Sequence, residues 1–300
     1  MATLRGAELG YLSYNPEDLK WGSAINFVVY QNVGPGETYP PGRPPASYNF
    51  TNIGGRTLEE YQITYISKGG GTFSCETLGR RKPIKLREGS MFMLFPGEWH
   101  TYHPDPETGW EEYSIGFKGP YMGILVQYGF YTPSSPVLNI GTSEFMRVLM
   151  EEALDTAIEQ KPGYQQLLSG IVSHILGLAA YKLRNQSFAS SEIAKKIVEA
   201  KNIALVEYAQ VSPQDLAERV NLGYSSFRRS FKEYTGMPPA KFLSEIKVAK
   251  AKELLATTDL SIKEIAFAVG EDNFDYFTTN FKSKTGFTPT GYRLHVKGIV

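Results

Sequence analysis

Two periods divide the chain. From Ile25 to Phe117, short runs (INFVVYQ, YQITYIS, GTFSCE, PIKL, SMFMLFPG, EEYSIGF) are parted by Gly and Pro. β-Branched and aromatic runs at this spacing predict the strands of a sandwich or barrel. The glycine-rich KGGGTF, Lys68 to Phe73, stands between two such runs. That position predicts a hairpin turn and not a phosphate loop, which would lie between a strand and a helix. After Gly141 the period lengthens to 3.6. Thr142 offers a cap for SEFMRVLMEEALDTAIEQ, Pro162-Gly163 breaks the helix, and YQQLLSGIVSHILGLAAYKL follows. The second helix of this αα-hairpin carries Leu167, Leu168, Ile171, Val172, Ile175, Leu178 and Ala179 along one stripe. Such a stripe either closes over the β unit or receives a second copy of the chain, a homodimer contact. The polar RNQSFASS, Arg184 to Ser191, reads as a linker.

Beyond the linker the pattern is helical and says itself twice. SPQDLAERV (Ser212 to Val220) matches SIKEIAFAV (Ser261 to Val269), and FRRSFKEYTG (Phe227 to Gly236) matches FTTNFKSKTG (Phe277 to Gly286). Each copy predicts a short capped helix with a small alanine, a turn at Asn221 or Gly270 that tolerates left-handed backbone, and a second helix. This is a helix-turn-helix, present as a pair; solenoids usually need three or more repeats. With Phe227 and Phe231 inward, Ser225, Arg228, Arg229 and Lys232 face outward, where arginine and lysine reach guanine edges and phosphates. The matching face of the second copy carries Asp275, Thr278, Thr279 and Lys282 and is less basic. The helix between, PAKFLSEIKVAKAKELLATT, is placed to hold both faces at a fixed separation; about 34 Å would admit them to successive major grooves of double-stranded DNA.

Composition narrows the setting. The 300 residues, 42 % hydrophobic and 21 % charged, are those of a soluble globular chain long enough for two domains. The opening residues lack the apolar core of a signal peptide, and a lone Cys75 has no disulfide partner, so the expected compartment is the cytoplasm, with no membrane segment. Net charge is zero, with 15 basic against 18 acidic residues up to Asn185 and 16 against 13 after it. That asymmetry is a weak pointer to nucleic acid, and the motifs carry the case.

Residues from about 190 to 295 resemble the DNA-binding domain of the AraC/XylS transcription regulators, through DLAERVNLGYSSFRRSFKEYTGMPPAKF, AKELLATTDLSIKEIAFAVG and YFTTNFKSKTGFTPTGYR. Asn221 stands where the family has a glycine, and Thr279 where arginine is common, which implies weaker base reading by the second recognition helix. The stretch Arg87 to Gly119 is similar to the cupin-like ligand-binding domain of arabinose-type members, with the likeness running from about Tyr61 to Gly119. The resemblance implies an effector-controlled regulator, commonly an activator, with RNA polymerase as a further partner and a sugar or similar small molecule as effector. The expectation is an α+β chain of two domains: a cupin-like barrel or sandwich with an αα-hairpin over 1–185, for effector binding and dimerisation, and an all-α double helix-turn-helix domain over 190–295.

Within the barrel, alternation along WEEYSIGF puts Trp110, Glu112 and Ser114 on one face, and Tyr102 follows the PGEWH turn. Carboxylate beside aromatic suits a sugar, which offers hydroxyls to bond and an apolar face to stack. The family match adds Arg56, His100 and Tyr102 as pocket positions, and Ser114 replaces an aromatic. The competing reading is a metal-dependent cupin enzyme, of isomerase or dioxygenase type, fused to a DNA-binding domain. It needs an H-x-H pair, a glutamate close behind and a third histidine. Here His100 and His103 are three apart, the first glutamate after them is Glu107, and His174 and His295 lie in helical text, so three ligands are not assembled. No enzyme activity, metal or cofactor is expected.

Overall fold

The computed structural model describes residues 8–40, 54–186 and 191–298. The chain divides into two compact units between residues 186 and 187.

The first unit runs β1 (Glu8–Tyr11), α1 (Pro16–Lys20), β2 (Ala24–Val33), β3 (Arg56–Thr57), β4 (Tyr61–Cys75), β5 (Ile84–Arg87), β6 (Ser90–Leu94), β7 (Trp99–Pro104), β8 (Trp110–Lys118), α2 (Pro120–Gln127), β9 (Val137–Asn139), α3 (Glu144–Glu159) and α4 (Tyr164–Gln186). One antiparallel sheet has the order β1-β2-β8-β4-β6-β9, while β4 also pairs with β5 and β7, and β7 with β3. β4 therefore belongs to both layers. Its first half pairs with β6 and β8, and its second half with β5 and β7.

The glycine run lies inside β4, not in a hairpin turn, so the expected pair of strands is one strand. Its glycines answer to close approach. A Cβ on Gly69, whose φ is +75°, would sit 2.2 Å from the Gly109 carbonyl oxygen, and one on Gly71 would sit 2.2 Å from that of His103 and 2.7 Å from the Trp110 ring. Without side chains, the strand crosses from one layer to the other under Trp110.

Alternation along the strands feeds two cores. Ile63, Tyr65, Met91, Met93, Tyr113, Ile115 and Phe117 face the hairpin helices, while Ile66, Phe73, Phe92, Leu94, Tyr102 and Trp110 fill the space between the layers. The helix α3 is capped by Ser143, whose hydroxyl accepts from Met146 N–H, so the expected cap at Thr142 is one residue early. On α4, Leu168, Ile171, Val172, Ile175 and Ala179 are buried in the chain's own core, Leu178 is half-buried and Leu167 is exposed. The predicted stripe thus closes over the β unit, and each large residue in it contributes about 1.5–3 kcal/mol of burial. Gln165 anchors the hairpin: its buried amide accepts from Ile25 N–H at 2.8 Å and donates to Ile25 C=O at 3.0 Å, beside a register shift in β2. The helix α4 continues to Gln186, so the expected linker begins later than Arg184; residues 187–190 lie outside the described residues.

The second unit is helical: α5 (Glu192–Glu207), α6 (Pro213–Arg219), α7 (Tyr224–Thr235), α8 (Pro239–Thr257), α9 (Ile262–Ala268), α10 (Phe274–Thr285) and α11 (Pro289–Val296). The repeat is structural. Ser212 and Ser261 cap α6 and α9 in reciprocal capping boxes with Asp215 and Glu264. The turns hold Asn221 at φ +50° and Gly270 at φ +73°. Each turn carbonyl is held by a lysine of the long helix before it, Lys196 to Asn221 at 3.1 Å and Lys247 to Gly270 at 2.8 Å. Two cores result, around Phe227 and Phe231 and around Phe277 and Phe281, and Tyr208 packs against both.

Candidate effector pocket and nucleic-acid interface

The pocket is built on the inner faces of β4, β7 and β8. Pairing sets Thr64 opposite Ser114 and Ile66 opposite Glu112. Short β3 lies along β7 with Arg56 beside His100, fixed by Trp99, whose indole donates to Gly54 C=O at 3.1 Å and whose ring covers Gly55. The six positions singled out in the sequence, Arg56, His100, Tyr102, Trp110, Glu112 and Ser114, come together around this space. All but Arg56, which is half-buried, are buried.

Their hydrogen bonds form a chain. Arg56 donates to the Tyr102 hydroxyl at 3.1 Å and, through Nε, to His100 Nε2 at 3.3 Å. Because His100 Nε2 accepts, its proton sits on Nδ1, which donates to Glu98 C=O at 3.0 Å. Burial and the Arg56 charge then hold the His100 imidazolium down to about 4, so the ring is neutral and serves to position the guanidinium. Gln62 donates to Thr64 Oγ1 at 2.9 Å and to the Tyr102 hydroxyl at 3.0 Å, and Thr64 bonds Ser114 at 2.9 Å. At the other end Tyr39 donates to Glu112 Oε1 at 2.8 Å, and its ring stands perpendicular to Trp110 at 5.4 Å. Burial raises the Glu112 carboxyl to about 7, against opposing pulls from the Tyr39 hydrogen bond and Arg56.

Among the described residues, three buried polar atoms of this space have no protein partner: Gln62 Oε1, Trp110 Nε1 and Glu112 Oε2. Buried polar atoms are rarely left so, and a polar ligand would satisfy them. Gln62 and Tyr39 were missed in the sequence. Gln62 was available, since YQITYIS alternates and places Gln62 on the same face as Thr64 and Ile66. Tyr39 lies in loop text with no local signal. No group of three His, Cys, Asp or Glu that could hold a metal occurs among the described residues.

In the second unit, Ser225, Arg228, Arg229 and Lys232 are all exposed along α7, opposite buried Phe227 and Phe231. On α10, Asp275, Thr279 and Lys282 are exposed. Thr278 is half-buried, its hydroxyl enclosed and without a partner among the described residues, so the predicted fully outward position is corrected: it leans toward the unit's interior. Tyr276, exposed beside Asp275, adds a large aromatic that the helical count had passed over.

A tandem helix-turn-helix with a basic first recognition face, in one chain with a barrel lined by polar groups, is the make-up of a DNA-binding regulator with a ligand-binding domain. The profile of the AraC-like ligand binding domain matches residues 48–180, and that of a helix-turn-helix domain matches 216–295. The chain is 26% identical over 260 residues to the raffinose operon transcriptional regulatory protein RafR of Pediococcus pentosaceus, covering 83% of this chain and 90% of that one. It is 22% identical over 257 residues to the lactose operon transcription activator of Staphylococcus xylosus, covering 85% and 89%. Among solved structures, the C-terminal domain of the response regulator yesN from Fusobacterium nucleatum is 35% identical over 31% of this chain and 93% of its own, with a TM-score of 0.31. The chain belongs to the AraC family of transcription regulators. No described helix is long and apolar enough to cross a membrane.

Proposed function

We propose that this regulator binds a small neutral carbohydrate in the barrel of its first unit and responds by changing transcription, as an activator, through the second. The observation that carries the reading is the set of buried atoms Gln62 Oε1, Trp110 Nε1 and Glu112 Oε2, lacking partners among the described residues and set beside the rings of Tyr39, Tyr102 and Trp110. Donors, acceptors and aromatic walls in one place suit a polyol; a lipid would leave the polar atoms unsatisfied and a dianion would meet Glu112. The operon names of two relatives point the same way, and raffinose and lactose share a terminal galactosyl unit. Arg228, Arg229 and Lys232 take the main contacts to DNA, with α10 as the weaker reader. The protein acts in the cytoplasm, without catalysis, as a homodimer that works with RNA polymerase. With the predicted stripe buried, the dimer contact passes to the outward face of α4, where Leu167, Gly170, His174, Gly177 and Tyr181 are exposed at alternating spacings of three and four.

A thermal-shift screen of the full chain against monosaccharides and short oligosaccharides tests the effector. A sugar bound only by the folded barrel raises the melting temperature with its concentration. A shift with a hydrophobic or dianionic compound, and none with any neutral sugar, would overturn the reading.

A further inference from the structure

The polar groups of the pocket are not all accounted for by the positions that a family likeness brings out. Gln62 lies on β4, opposite Gly116 of β8, and is buried. Its amide nitrogen is within bonding range of three hydroxyls, those of Thr64, Tyr102 and Ser114. Its carbonyl oxygen has no partner among the described residues. With the nitrogen engaged by these hydroxyls, the carbonyl oxygen is the group of the amide left open to a ligand. Farther along the same sheet face, on neighbouring β8, stands Glu112, whose Oε2 is a second acceptor without a partner among the described residues, with the Trp110 N–H as a donor.

Distance fixes the scale. Gln62 bonds Tyr102, Tyr102 bonds Tyr39 and Tyr39 bonds Glu112. Three hydrogen bonds in series keep the Gln62 amide and the Glu112 carboxyl within about 9 Å, close enough for hydroxyls of one sugar ring to reach both. Between them the small side chains of Thr64 and Ser114 form the floor.

We propose that Gln62 is a specificity-determining effector contact: its carbonyl accepts a hydrogen bond from one defined hydroxyl of a sugar ring whose other side is held by Glu112 and Trp110. This rests on the carbohydrate reading above and adds to it a direct contact and a ring-sized subsite. A hydrogen-bonding pocket rejects an analogue that lacks the bonded hydroxyl, because its own buried group is then left unpaired.

Calorimetry on the full chain tests this, with galactose, lactose, raffinose and the monodeoxy galactoses as probes. Gln62→Leu should weaken the parent sugar roughly tenfold, and should do the same for every deoxy sugar but one. For the sugar lacking the hydroxyl that Gln62 reads, wild type and Gln62→Leu should bind alike. Gln62→Glu, which keeps an acceptor at that place, should recover most of the affinity. Equal weakening of all the probes, without rescue by Gln62→Glu, would mean that Gln62 merely shapes the wall. Sugar binding lost in Glu112→Ala but untouched in Gln62→Leu would overturn this inference and leave the carbohydrate reading standing. Failure of every sugar to bind the wild type would remove both.

Discussion

Replacing Glu112 by glutamine separates what this side chain does to the fold from what it does for a ligand. Burial holds its carboxyl at about 7, against 4.5 for a free side chain. Between those values the folded state keeps a proton that the unfolded chain has released. Stability from this group therefore falls as pH rises through that window and is unaffected below it. At pH 8 the folded protein carries a desolvated carboxylate, and the shift converts to about 3 kcal/mol of destabilisation. Glu112→Gln keeps an oxygen for the Tyr39 hydroxyl and has no charge to desolvate. Its stability should exceed that of the wild type by up to about 3 kcal/mol at pH 8, with the gap closing near pH 4.5. His100 runs the opposite way. Its folded value of about 4, against 6.5 when free, gives stability that is full above 6.5 and lost as pH falls toward 4. In the wild type the two slopes cancel between about 4.5 and 6.5, and in Glu112→Gln the His100 slope stands alone. The same variant should bind effector more weakly, because an amide N–H replaces an acceptor. Urea melts followed by tryptophan fluorescence at three pH values report on the right unit, since Trp21, Trp99 and Trp110 are the chain's three tryptophans and all lie before residue 187. A variant less stable than wild type at pH 8, or a gap constant with pH, would refute the reasoning.

On the DNA side, Arg228→Ala should weaken operator binding and relax sequence preference, whereas Lys232→Ala should lower affinity across sequences and flatten its salt dependence; titrations at several salt concentrations distinguish them. Gly270→Ala should destabilise the second unit by at least about 2 kcal/mol, because its Cβ would lie 2.0 Å from the Ala209 carbonyl oxygen at a left-handed φ, while Asn221→Gly, at the matching turn, should stay within about 0.5 kcal/mol; circular dichroism melts measure both. Charged substitutions at Ile171 or Ile175 should unfold the first unit, since both are buried in its core, whereas exposed Tyr181→Glu should give a folded monomer in sedimentation.

What could be read from the sequence was what is periodic. The alternation through Trp110, Glu112 and Ser114 placed three pocket residues on one face without help from the fold, and the duplicated phenylalanines placed both recognition helices. Pairing between distant segments was beyond that reach. Gly69 and Gly71 resemble turn residues locally, and only the approach of Gly109 and His103 shows that they belong inside a strand. Ile171 and Ile175 make an apolar stripe in either case, and the sheet that covers them is set by strands distant in sequence. Tyr39 reaches Glu112 across 73 positions, and no local pattern marks it.

The matched pair of turns, each clasped by a lysine from the helix before it, keeps the two halves of the second unit alike in scaffold while their outward faces differ. A single chain therefore has no dyad of its own. If both faces meet DNA as proposed, the duplex is read head to tail, a basic helix over one block and a mixed face of acid, hydroxyl and phenol over the next. Such a target has a direction: exchanging its two blocks yields a different word, and a palindrome arises only where a second chain supplies the reversed half.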